Sequence, residues 1–86
     1  MDDRPLSQLS CDEEAEIVAI RGGAHLRARL NALGLVEGQR LRLLSGLGWR
    51  GPVVVIVNRA QVALGRGMAS KIIVRVTGRF DRGQQV

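Results

Sequence analysis

Residues 22–38, GGAHLRARLNALGLVEG, constrain this chain more than any other stretch. Glycines bracket the segment, Gly22 and Gly23 in front, Gly34 and Gly38 behind. Between them Leu26, Leu30 and Leu33 recur at i, i+4 and i+7, which places them on one face of a short helix. His25, Arg27, Arg29 and Asn31 occupy the other face. Gly23 suits the N-cap, and Gly34 suits the C′ position, where positive φ is needed. Leu35 and Val36 then lead back into extended chain. One small helix, resting on a sheet built by the rest of the sequence, is the expected plan.

The strands on either side are read from alternation. Leu6 and Leu9, three apart, fit one helical turn against the core, after a frayed polar start over residues 1–5. Residues 10–14 form an acidic turn. Residues 15–20, AEIVAI, make the first strand, rich in β-branched side chains. Residues 39–45 make the second, with Arg40 and Arg42 on a wet face and Leu41 and Leu43 on a dry one. Residues 52–58 make the third, with Pro52 at its first position, where a missing N–H does least harm. A tight turn at 58–60 leads to a short fourth strand at 61–64. A corner at 65–70 precedes the fifth, at 71–76. Five short strands, one helix after the first of them and glycines at the corners predict a mainly β, strongly bent small barrel. The single domain is expected over residues 1–76, with residues 77–86 a disordered tail.

Eighty-six residues suffice for one core. With Trp49 and Phe80 the only aromatics, that core is expected to be aliphatic. Charge is divided unevenly along the chain. Residues 1–16 carry six acids against Arg4, whereas residues 17–86 carry twelve bases against Glu37 and Asp81. The lone Cys11 excludes an internal disulfide and is expected to be a small, at least half-buried residue. The longest apolar run, residues 53–57, is far short of a membrane span. No signal-peptide pattern opens the sequence, so the expected location is the cytoplasm.

Few residues suggest chemistry. Residues 46–51, GLGWRG, match G-x-G-x-x-G literally, but Pro52 and a valine-rich strand follow where a dinucleotide fold needs a helix. A hairpin tip is the expectation. His25 is the only histidine and has no acid beside it, which leaves neither a zinc set nor a catalytic dyad. No cofactor, metal site, small-molecule substrate or catalytic residue is expected. Two groups remain as candidate contacts. Arg27, Arg29 and Asn31 share the polar side of the helix. Leu47 and Trp49 sit at the glycine-flanked tip, and a large aromatic there is good contact material. An arginine-rich small barrel also admits nucleic-acid binding, although too few aromatics are present for a base-stacking surface.

The ordered set Ala15-x-Ile17-Val18-x-Ile20-x-Gly22-Gly23, then Leu26-Arg27-x-Arg29-Leu30-x-x-Leu33-Gly34-Leu35-x-x-Gly38, resembles the signature of the ferrous iron transport protein A (FeoA) family. Gly51-Pro52-Val53, Ala63-Leu64 and Ala69-x-x-Ile72-x-Val74 continue the match, so that it runs from about Leu6 to Val76. The resemblance implies an SH3-like barrel with a helix inserted after the first strand. It implies a non-enzymatic cytoplasmic accessory module of bacterial ferrous iron uptake, recruited to the inner face of the membrane. The implied partner is the ferrous iron permease with its G-protein domain, which the module would bind and modulate. The family is also associated with transition-metal binding, for which this sequence offers no ligand set. The tip at 46–51 and the extended tail depart from the family pattern.

Overall fold

The computed structural model describes residues 3–46 and 51–81. It contains β1 (Asp3–Pro5), a 3-10 turn (Leu6–Gln8), β2 (Glu13–Ile20), α1 (Ala24–Ala32), β3 (Arg40–Gly46), β4 (Val53–Val57), β5 (Ala60–Leu64), α2 (Arg66–Ala69) and β6 (Ile72–Arg79). The six strands form one antiparallel sheet in the order β1-β6-β2-β3-β4-β5.

The sheet curls because its register slips three times. Val18 on β2, Leu44 on β3 and Thr77 on β6 each fall at a slip, so that one strand carries an extra residue there. Each bulge adds local twist and bend. The curl brings the two edges toward each other without closing them by hydrogen bonds. The helical turns that follow the edge strands meet instead. Helix α2 packs on the turn Leu6–Gln8, and Arg66 Nη1 donates to Ser7 O at 3.5 Å.

Inside lies one aliphatic core. It takes Leu6 and Leu9 from the first turn, Ala15, Ile17 and Ile20 from β2, and Leu41 and Leu43 from β3. Val53, Val55, Val57, Leu64, Ala69, Ile72 and Val74 add the far side, and Leu30 and Leu35 close it from the helix. The bulge at Val18 explains why Ile17 and Ile20, three apart, both point inward. A regular strand would turn one of them out.

Several expectations require correction. Among the described residues there are six strands, not five, because Asp3–Pro5 pairs with β6, and the helix follows the second strand. The start of the chain is held there by Arg75, whose Nε donates to Asp3 Oδ1 at 2.9 Å. That hydrogen bond, and then the charge of Asp3, pushes the Arg75 guanidinium above its ordinary pKa. The ordered domain does not stop at Val76. β6 continues to Arg79, and Phe80 N donates to Asp12 O at 2.8 Å. The remainder of the expected tail, residues 82–86, lies outside the described residues. Cys11 is exposed, with Sγ donating to Leu44 O at 3.2 Å. The corner at 65–70 forms the short helix α2.

Candidate partner-binding surface

Helix α1 is made by its ends. Gly23 is extended at the N-cap, and no side chain caps the first turn. At the other end Leu35 N donates to Leu30 O at 2.9 Å and Gly34 N to Asn31 O at 3.0 Å, with Gly34 at φ +89°. This is the Schellman arrangement, which satisfies carbonyls the helix would otherwise leave open. Its hydrophobic contact is between Leu30 and Leu35, both fully buried. Leu33 differs from expectation. It is the C-cap, outside the last helical turn, and 46% of it is exposed. Leu35 takes the core position that periodicity assigns to Leu33. Leu26 is half-buried against the core.

The outer surface of α1 carries His25, Arg27, Arg29 and Asn31, all exposed as expected. Arg27 Nη2 lies 3.4 Å from Glu37 Oε2, with both side chains about half exposed. With its amide oriented to suit its neighbours, Asn31 donates to Leu35 O at 3.0 Å and to Arg27 O at 3.3 Å. Asn31 therefore fastens the helix exit as well as facing solvent. Ile20, Arg27, Asn31, Val36 and Glu37 line a shallow depression of about 230 Å³. Of this lining Val36 is an exposed apolar side chain, at 37%, and a second exposed apolar side chain, Leu33, stands at the C-cap of α1. The structure thus joins two of the expected contacts, Arg27 and Asn31, to Val36 of the returning chain, whereas Arg29 and Leu33 are exposed but do not line the depression. Leu47 and Trp49 lie outside the described residues.

The rest of the molecule is sparing in chemistry. Gly46 pairs with Val53 across β3 and β4, so the glycine-rich stretch joins two antiparallel strands, and no helix follows it. Among the described residues no three His, Cys, Asp or Glu side chains gather into a metal-ligand group, so the donor set does not fit a resident metal. No helix among them is long and apolar enough to cross a membrane. A second cleft, of about 360 Å³, lies over β3 and the end of β6. Sequence reasoning missed it, because Thr77 and Phe80 fall in the segment read as a tail.

Fold and surface together define a small SH3-like β module that presents an exposed helix. A domain-family model described as FeoA domain matches residues 4–76. A protein of Methanocaldococcus jannaschii named "Putative Fe(2+) transport protein A" is 31% identical over 70 residues, covering 81% of this chain and 83% of that one. Among solved structures, the crystal structure of Iron Uptake Regulatory Protein (FeoA) superposes with a TM-score of 0.82 at 28% identity, covering 90% of this chain and 100% of that one. A manganese-dependent transcriptional repressor shares the fold, with a TM-score of 0.82 at 22% identity over 90% of this chain and 42% of its own. The chain belongs to the FeoA family.

Proposed function

We propose that this protein is a non-enzymatic accessory module of ferrous iron uptake that acts in the cytoplasm by binding the ferrous iron permease at the inner face of the membrane. The observation that carries this reading is the exposed helix surface of a FeoA-family domain, where Arg27 and Asn31 line a depression with the exposed Val36, and Leu33 is exposed at the helix end. Iron is the cargo of the permease, not a group held by this chain. Binding alters the permease only by favouring one of its states over another. The apolar pair supplies area to bury, and the arginines orient the approach. Trp49 and Leu47 at the tip complete the contact in this reading. The test is capture of membrane fractions from the native host by a tagged copy, with Leu33→Asp/Val36→Asp as the paired control. Recovery of the permease by the native chain and its loss with the double variant support the reading. Equal recovery with both rejects this surface, and failure of the native chain to recover the permease rejects the partner.

A further inference from the structure

Arg42 contains a buried hydrogen-bond donor for which the described residues provide no acceptor. Its guanidinium lies over Phe80, with the central carbon 3.9 Å from the ring centroid. Nη1 is shielded from solvent and makes no hydrogen bond. Glu14 stands directly opposite Arg42 in the pairing of β2 with β3, yet no ion pair joins the two. Glu14 instead lies over Gly78, where its Oε1 would be 3.6 Å from an added Cβ. A buried donor without an acceptor is costly, and a charged one more so. The ring beneath Arg42 gives the guanidinium a cation–π contact, and the guanidinium's planar fork suits a carboxylate.

We propose that this cleft binds an acidic segment of a partner protein, with a glutamate or aspartate carboxylate accepting from the Arg42 guanidinium, which lines it. Leu41 and Ile56 line the cleft with apolar surface, Arg40 adds positive charge, and Glu14 and Thr77 offer acceptors. That mixture decides the class of ligand. A phosphate group brings two negative charges and no donors, and Glu14 repels it. A peptide brings a carboxylate for Arg42 and backbone N–H groups for Glu14 and Thr77. The cleft shares none of its lining with the depression on α1, so the proposal stands or falls separately from the permease reading.

The test uses the whole chain, labelled with ¹⁵N. It is titrated with a degenerate hexapeptide library carrying Glu at one fixed position, with the same library carrying Gln there, and with inorganic phosphate. The Glu library is expected to shift the amides of residues 40–42, 56–58 and 77–80 and the Arg42 Nε–H signal, saturably. The Gln library is expected to bind about tenfold more weakly or worse. Arg42→Gln is expected to remove the difference between the libraries. Phe80→Leu, which keeps the charge but removes the stacking surface, is expected to weaken binding of the Glu library. Equal binding of the two libraries, or no shift at millimolar peptide, overturns the proposal. Stronger shifts with phosphate at the same amides also overturn it and make the cleft a phosphate site. If Arg42→Gln fails to fold, the native Arg42 Nε–H signal and the comparison between libraries still decide.

Discussion

Gly22 is held at φ +126°, and a Cβ placed on it would lie 2.7 Å from Leu26 Cδ2. Gly22→Ala must strain the backbone and displace Leu26 together, so a loss of about 1–3 kcal/mol is expected by thermal or chemical unfolding. The opposite case is Arg59. Asn58 and Arg59 both have positive φ, 52° and 65°, between paired Val57 and Ala60. That is a two-residue type I′ turn, which asparagine followed by glycine suits best. Arg59→Gly should therefore stabilise the fold by up to about 1 kcal/mol, read as a rise of roughly 4–8 °C in melting temperature. Among the signals legible in the sequence were the glycines around the helix and the tight turn at Asn58. Leu33 and Cys11 were not legible. Periodicity does not say where a helix stops, and one residue past the stop is enough to turn Leu33 outward. Cysteine's usual burial was overridden by a turn whose backbone is fastened to β3 and to the residue after β6, through Asp12 N to Leu43 O and Phe80 N to Asp12 O.

At the scale of elements, α1 divides into a buried side and an exposed one. Leu30→Asp places a carboxylate where the native side chain is fully buried, and it should unfold the domain or nearly so. Leu30→Ala should cost about 2–5 kcal/mol. Arg29→Ala, on the exposed side, should leave the melting temperature unchanged. Equal losses for Leu30→Ala and Arg29→Ala would show the helix to be seated the other way round. Strands β2 to β5 and the core of β6 were readable because each alternates or is β-branched. β1 was not, since DRP is short and polar and depends entirely on β6 for its pairing. The last residues of β6, TGR, were missed for the same reason. Their order comes from Glu13 and Glu14 across the ladder, and no local propensity announces it. The Arg42 cleft was therefore hidden as well, because its floor and one wall come from residues that sequence alone separates.

For the whole molecule, the scarcity of clustered ligands among the described residues leads to a direct expectation. Thermal melts with and without a chelator should coincide, and a large drop on chelation would show that folding depends on metal. Partner binding should divide by region. Arg27→Ala with Arg29→Ala should slow association and flatten its salt dependence, whereas Trp49→Ala should speed dissociation. Both variants should melt as the native chain does, and a Trp49→Ala that melts lower but binds normally would make the tip structural. One feature of the sheet also bears on how the protein comes into being. Among the described strands β6, made after the other five, lies between β1 and β2. While the chain is still emerging from the ribosome, β3, β4 and β5 can pair as consecutive hairpins, but β1 has no neighbour to join. Residues Asp3–Pro5 must wait, unpaired, for Ile72–Arg79 to arrive and thread the gap, so completion of this sheet is governed by β6, and a nascent chain halted before Ile72 would be a ready substrate for proteases.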